Sequence, residues 1–273
     1  MLKEQTFETG KVSINYCEGA SYGRPLVMLH GISGWWRSYL SVIPHLSVRW
    51  HVYALDHRGH GKSGRVAKGY QLEAYVEDTV AFLRNQVREP VYLVGHSLGG
   101  LVSIGVAAQA PDVVKALVLE DPPLYGFRGS RLQARPFYKL FTAWRDIARD
   151  GGSVEEMAAQ LATVQPDLDA AERRFKARSL NLLDPDVLTM YVDGSATATY
   201  EMDELLPKVS CPALLLRGEP PLGGAIEDED EVRAVSLLRQ TTVVPISGVG
   251  HIIHPDQPER YYQVVSNFLE SIE

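Results

Sequence analysis

The chain has 273 residues, 45% of them hydrophobic and 22% charged, which is the composition of a globular protein with a sizeable core. The formal net charge of −7 argues against a nucleic-acid partner, because phosphate binding needs a basic surface. The two cysteines, Cys17 and Cys211, give no disulfide framework and fit a reducing compartment. The first residues lack the apolar core of a signal peptide, so we expect a cytoplasmic protein.

In chain order, short apolar runs alternate with helical patterns. Strands are predicted at 6–15, 15–18, 25–30, 50–55, 91–95, 116–121, 211–218 and 241–246. Helices are predicted at 35–46, 72–87, 98–110 and 258–272. Alternation of this kind is typical of an α/β fold with a mostly parallel central sheet, right-handed crossovers and flanking helices.

One uncharged stretch, 91–110, has the length of a membrane span. Its glycines, serines, histidine and glutamine, and the change of period in its middle, indicate a buried strand followed by a buried helix. We therefore expect no membrane partner.

Residues 124–206 contain no strand-like run. Helical patterns occupy 132–148, 154–164, 168–182 and 186–192. An all-helical insertion in an α/β chain is typical of a cap over the sheet edge where ligands bind. The sequence therefore predicts an α/β core of residues 1–123 and 207–273 and a helical cap of residues 124–206.

One segment, Gly95-His96-Ser97-Leu98-Gly99, joins a predicted strand to a predicted helix with no loop between them. Such an abrupt turn forces its central residue into a strained conformation, and the flanking glycines let helix and strand approach each other. The pattern G-x-S-x-G is typical of a nucleophile elbow, which exposes a serine hydroxyl at the end of a central strand. Ser97 is therefore the candidate nucleophile.

A serine hydroxyl is a weak nucleophile near neutral pH and needs an adjacent base, a role that suits histidine. His251 ends the glycine-rich segment Gly248-Val249-Gly250-His251, which follows the last predicted strand. A carboxylate must in turn hold the imidazole in the productive tautomer. His251 is thus the candidate base, and the acid is harder to assign.

Four motifs together resemble those of the α/β-hydrolase superfamily: H-G-I-S-G at 30–34, D-H-R-G-H-G-K-S at 56–63, G-H-S-L-G-G at 95–100 and G-V-G-H at 248–251. The resemblance covers essentially the whole chain outside the cap. It implies an α/β-hydrolase fold and a cofactor-free serine hydrolase that cleaves an ester, lactone, amide or activated C–C bond of a small molecule. It also implies that the backbone N–H groups of Ile32 and Leu98 form the oxyanion hole.

The usual acid of this superfamily, three residues after the glycine that ends the penultimate strand, is absent, because Pro221 occupies that position. In a minority of members the acid lies 24 residues after the nucleophile, which is Asp121 in this chain. The resemblance thus implies a triad of Ser97, His251 and Asp121. Glu219 is the rival acid, and Asp228 is a more distant alternative.

Other patterns are weaker. Residues 59–64 match G-x-G-x-x-G, but a helix occupies the place where a dinucleotide-binding unit needs its second strand. His57/His60 and His251/His254 have the spacing H-x-x-H without a third ligand or a convincing helix, so no metal site is predicted. Three tryptophans are candidates for an apolar substrate pocket between sheet and cap: Trp35, Trp36 and Trp144.

The cap is also rich in arginines, and one or two of them facing the cleft would suit a carboxylate-bearing substrate. These arginines are Arg128, Arg131, Arg135, Arg145, Arg173, Arg174 and Arg178. Two other functions stay open, a ligand-binding receptor that keeps the fold and the site, and a cofactor-free perhydrolase with the same triad. The sequence also leaves a homodimer open.

Overall fold

Eight strands form one sheet in the computed structural model, which describes residues 2–126 and 136–272. They are β1 (Lys3–Glu8), β2 (Ser13–Glu18), β3 (Pro25–Leu29), β4 (His51–Leu55), β5 (Val91–His96), β6 (Val114–Glu120), β7 (Ala213–Arg217) and β8 (Thr241–Pro245). Their order across the sheet is β1-β2-β4-β3-β5-β6-β7-β8. The β1–β2 and β2–β4 pairs are antiparallel, and all other neighbours are parallel. The mostly parallel sheet that the sequence predicts is therefore confirmed.

Helices cover both faces of this sheet. They are α1 (Ile43–Leu46), α2 (Leu72–Phe82), α3 (Leu98–Gln109), α4 (Pro136–Asp150), α5 (Val154–Val164), α6 (Ala170–Asn181), α7 (Pro185–Val192), α8 (Met202–Leu205), α9 (Asp228–Leu237), α10 (Ile253–Asp256) and α11 (Pro258–Glu270). Alternate residues of β3 point to opposite faces. Val27 and Leu29 join the apolar cluster formed with α2 and α3, whereas Leu26 and Met28 join the cluster formed with α1 and α11.

Two predicted elements have wrong bounds. The strand predicted at 6–15 is interrupted by the turn between β1 and β2, where the Thr9 N–H donates to the Val12 carbonyl and Gly10 has a φ of +86°. The helix predicted at 35–46 is split into a short 3₁₀ turn, Trp36–Tyr39, and α1. Proline in the first turn of α1 lacks the N–H that a continuous helix would use, so the helix begins anew there.

Between β6 and β7, the described residues form α4 to α8 and no strand. The helix predicted at 154–164 matches α5 in both bounds, and the one predicted at 132–148 begins outside the described residues and continues as α4. Apolar residues of these helices, such as Phe141, Leu161 and Leu180, belong to the same cluster as α2 and α3. The division into core and cap at 123/124 and 206/207 stays a prediction.

Candidate active site

The carboxyl ends of three parallel neighbouring strands bring the candidate groups to one edge of the sheet. His30 follows β3, Ser97 follows β5 and Asp121 follows β6. Ligand sites in open α/β sheets form at this edge.

Ser97 occupies the turn between β5 and α3, with a φ of +52° and a ψ of −113°. A positive φ of this kind costs a residue that carries a Cβ about 1–3 kcal/mol. Hydrogen bonds on both sides hold the turn. The Ser97 N–H donates to the Glu120 carbonyl at 2.9 Å, and the Ser97 carbonyl accepts from the Gly100 N–H at 3.0 Å. This is the strained turn that the sequence predicts.

Glycines on either side of Ser97 let α3 lie against the sheet. A Cβ on Gly95 would overlap the Gly99 carbonyl, and a Cβ on Gly99 would overlap the Leu29 carbonyl of β3. The backbones therefore approach each other more closely than any side chain at these positions permits.

Asp121 carries the carboxylate that meets His251. Its Oδ2 accepts a hydrogen bond from Nδ1 of His251 at 2.8 Å. Asp121 is fully buried, whereas 31% of the His251 side chain is exposed. The carboxylate also accepts the N–H groups of Ala225 (2.6 Å) and Gly218 (3.3 Å). Because Nδ1 is bound to the carboxylate, Nε2 is the ring nitrogen that is positioned to act as a base.

The two other carboxylates that the sequence left open lie elsewhere. Glu219 accepts the Gly248 N–H at 3.0 Å, so it ties together the loops that follow β7 and β8. Asp228 pairs with Arg217. Of the three, Asp121 is the carboxylate that bonds to His251.

His96 links His251 to the elbow. The two rings lie with centroids 4.8 Å apart, and Nε2 of His96 donates to the His251 carbonyl at 3.0 Å. Burial lowers the pKa of His96 to about 3, so its ring is neutral. Within the described part of the chain, the Ser97 hydroxyl makes no hydrogen bond to the His251 ring. Contacts of this kind often tighten only when substrate binds.

The loop after β3 brings Ile32 to the elbow. A Cβ on Gly31 would stand only 3.1 Å from the Cβ of Ser97. Among the described residues the Ile32 N–H has no acceptor. Leu98 is the first residue of α3, where N–H groups have no acceptor within the helix. The loop residue that precedes Ile32 thus lies close to Ser97, and the role of the Ile32 and Leu98 N–H groups as oxyanion donors stays a prediction.

Buried histidines hold this loop in place. His30 Nε2 accepts the His57 N–H at 3.0 Å, and His60 Nε2 accepts the Ser33 N–H at 3.3 Å. Burial lowers the pKa of His57 to about 3 and that of His60 to about 4, so both rings are neutral. These ring nitrogens are engaged with backbone groups, and the cluster therefore acts as a scaffold for the loop.

Comparison with known families agrees with this geometry. The family model described as alpha/beta hydrolase fold matches residues 24–209, more than half of the chain. This chain belongs to the α/β-hydrolase fold family. The resemblance seen in the four sequence motifs is therefore confirmed.

Named hydrolases match this α/β-hydrolase over nearly its whole length. It is 29% identical to the 2-(acetamidomethylene)succinate hydrolase of Mesorhizobium japonicum, over 97% of this chain and 94% of the relative. It is 28% identical to the N-formylmaleamate deformylase of Pseudomonas putida, over 96% of each chain. The crystal structure of an N-formylmaleamic acid deformylase variant from Pseudomonas putida S16 has the same fold, with a TM-score of 0.80 and 24% identity, over 97% of this chain and 100% of that one. The chain is thus a hydrolase of this family.

A second histidine–carboxylate pair supports the His251 loop of this α/β-hydrolase. Glu120 accepts the N–H groups of Ile253 and His254 and also meets Nδ1 of the His254 ring, each at 2.9 Å. Nε2 of His254 faces the Ser38 carbonyl at 2.9 Å, so both ring nitrogens face acceptors, the pattern of a doubly protonated ring. Burial raises the pKa of Glu120, but its interactions with His254 outweigh burial and leave that pKa at about 2. The sequence gives no signal for this pair, because its members are 134 positions apart.

We expect His254→Ala to lower the free energy of unfolding by about 3–5 kcal/mol, because the Glu120 carboxylate then stays buried without its partner. Urea denaturation measures the change. His45→Ala, at an exposed histidine, is the control and should shift the free energy of unfolding by less than about 0.5 kcal/mol. An effect of His254→Ala as small as that of the control contradicts a charged buried pair.

The three tryptophans of the predicted pocket occupy different places. Trp35 lines a cavity of about 620 Å³, together with Phe175 of α6. Trp36 packs into the apolar cluster formed with α1 and α11, and its role as a pocket residue stays a prediction. Trp144 does not line this cavity, and its ring centroid lies 3.4 Å from Nζ of Lys176.

No group of three or more His, Cys, Asp or Glu side chains suited to a metal ion is found in residues 2–126 and 136–272. In the same part of the chain, no helix combines the length and the apolar character needed to cross a bilayer.

Proposed function

We propose that this α/β-hydrolase cleaves an amide or ester bond of a small molecule through an acyl-enzyme on Ser97. His251 is the base, and Asp121 orients it and stabilises its protonated form. The observation that carries this proposal is the 2.8 Å hydrogen bond between Nδ1 of His251 and the fully buried carboxylate of Asp121. A carboxylate with a purely structural role at a strand end would not require a part-exposed imidazole as its partner, and here that imidazole lies beside a strained serine.

The proposed reaction has two stages, formation of the acyl-enzyme and its hydrolysis. Oγ of Ser97 attacks the carbonyl carbon while Nε2 of His251 takes the hydroxyl proton. The negative charge develops on the former carbonyl oxygen, to which the N–H groups of Ile32 and Leu98 donate. His251 then gives its proton to the leaving amine or alcohol, and the acyl-enzyme forms. A water molecule then attacks the acyl carbon and loses a proton to His251; the bond from that carbon to Oγ of Ser97 breaks, Oγ takes the proton from His251, and the acid leaves.

The relatives favour an amide over a lactone or an activated C–C bond. One is named for an acetamido compound and the other for an N-formyl compound, and both names denote small molecules. At 29% and 28% identity these names support a reaction class for this chain and leave its substrate open.

A panel of one activated ester, one N-acyl amide and one lactone tests the proposal, with Ser97→Ala as the blank. We expect the parent enzyme to turn over the ester or the amide well above the blank, measured by chromatographic detection of the acid product. Equal turnover by the parent and by Ser97→Ala on every member of the panel contradicts the proposed mechanism.

A further inference from the structure

Lys176, on α6, extends from the helices between β6 and β7 to the loop that follows β3. Its Nζ donates to the Ser33 hydroxyl at 2.6 Å and lies 3.4 Å from the ring centroid of Trp144. The Ser33 hydroxyl donates in turn to the Ile32 carbonyl at 2.5 Å, and Nε1 of Trp144 donates to Gln165 at 2.9 Å. The ammonium group is therefore held in a fixed position from two sides.

This ammonium group has no carboxylate partner within the described part of the chain. The segment 127–135, which lies outside that part, contains no aspartate or glutamate in its sequence. Burial lowers the pKa of Lys176 to about 7, because it disfavours the charged form. The nearby His60 ring is neutral, so it does not repel the ammonium group. Lys176 is half-buried, and charges withdrawn from water are normally paired, so this position is suited to an anion that comes from outside the chain.

The ammonium group lies close to the proposed reaction centre. Gly31 is beside Ser97, and Ser33, which Lys176 contacts, is two residues further along the same loop. Two residues of extended chain span about 7 Å at most. The ammonium group and Ser97 therefore both lie against the same short loop, an arrangement suited to a small acyl group that ends in a carboxylate.

We propose that Lys176 binds a carboxylate group of the substrate and thereby places the scissile carbonyl at Ser97, an inference that rests on the proposed function. An ammonium has three N–H donors, and Ser33 takes one of them. The π face of Trp144 stabilises the charge without using the donors that point elsewhere. Hydrogen bonds from a charged donor to a carboxylate are about twice as strong as neutral ones.

Two of the cap arginines that the sequence suggested for a carboxylate-bearing substrate fit this role less well, whereas Arg178 lines the cavity beside Trp35. Arg145 pairs with Asp146, and Arg174 pairs with Glu155. Both charges already have carboxylate partners. Arg128, Arg131 and Arg135 lie outside the described residues.

The test compares two p-nitrophenyl esters of similar length that differ in charge, the hemisuccinate and the butyrate. The readout is the ratio of kcat/KM for the hemisuccinate to kcat/KM for the butyrate. Lys176→Met should lower this ratio about 10- to 100-fold, mainly through a higher KM for the hemisuccinate. Lys176→Arg keeps the charge and should recover part of the ratio. Lys139→Met, at an exposed lysine of α4, is the matched control and should leave the ratio unchanged.

A ratio for Lys176→Met within about threefold of the parent overturns the proposal. An equal loss of kcat on both esters also overturns it, because that result assigns Lys176 to positioning of the Ser33 loop. Circular dichroism verifies that each variant is folded, and Lys176→Gln replaces Lys176→Met if the latter is not. Ser97→Ala separates the two proposals. If Ser97→Ala hydrolyses both esters as fast as the parent, the serine mechanism is wrong. The ratio of the two kcat/KM values in the Lys176 variants tests only the proposed role of Lys176.

Discussion

Ser97→Ala is expected to lower kcat by about 10⁴- to 10⁶-fold on any substrate of this hydrolase, because it removes the atom that forms the acyl-enzyme. The strained turn supports this role, since a φ of +52° is maintained by hydrogen bonds to β6 and within α3. Residual turnover should remain above that of water, because the oxyanion donors and the binding site stay in place. The KM should change little, since the hydroxyl contributes mainly to the chemical step.

Steady-state kinetics on the best substrate of the panel measure this loss. Ser236→Ala, at an exposed serine of α9, is the matched control and should change kcat by less than about twofold. A Ser97→Ala enzyme with a kcat within tenfold of the parent is incompatible with a serine nucleophile at this position.

Asp121→Asn is expected to lower kcat by about 10⁴-fold, the largest effect outside the nucleophile and the base. An asparagine amide does not select the Nδ1–H tautomer of His251 and does not stabilise the imidazolium. The Asp121 carboxylate accepts the N–H groups of Ala225 and Gly218. In the variant the amide N–H₂ faces at least one of these donors, so the free energy of unfolding also decreases. Kinetics should therefore be measured well below the melting temperature of the variant.

Glu219→Gln is the matched control for the acid. Its carbonyl oxygen still accepts the Gly248 N–H, and Glu219 does not contact the His251 ring. We expect a change in kcat of less than about threefold. The opposite pattern, a nearly active Asp121→Asn and a Glu219→Gln that loses orders of magnitude, assigns the acid to Glu219.

Local features of the sequence are sufficient to predict the central strands and the turn at Ser97. Mostly apolar runs indicate β3, β5 and β6, because strands buried on both faces have few polar positions. Two glycines around Ser97 indicate the tight turn, because close packing of helix and strand excludes a Cβ there. The bounds fail where one local residue redirects the chain, as at Gly10 between β1 and β2.

Local sequence patterns do not predict contacts between residues that are far apart in the chain. Whether Asp121 or Glu219 meets His251 is decided by which loop approaches the ring; local patterns leave both carboxylates open, and only the family resemblance favours Asp121. The Glu120–His254 pair and the Lys176–Ser33 contact join residues that are 134 and 143 positions apart. The sequence around each residue therefore does not predict its partner. Trp35 and Trp36 have the same local context, yet Trp35 lines the cavity and Trp36 packs into the apolar cluster with α1 and α11, a difference that the sequence does not show.

Labelling with a fluorophosphonate probe, followed by peptide mass spectrometry, tests most directly whether Ser97 is a nucleophile activated by His251 and Asp121. We predict a single covalent adduct on the peptide that contains Ser97, formed rapidly in the parent and in Glu219→Gln and far more slowly in Asp121→Asn. An adduct on a different residue, or labelling of Ser97 as slow as in a receptor with an idle site, would contradict the proposed triad.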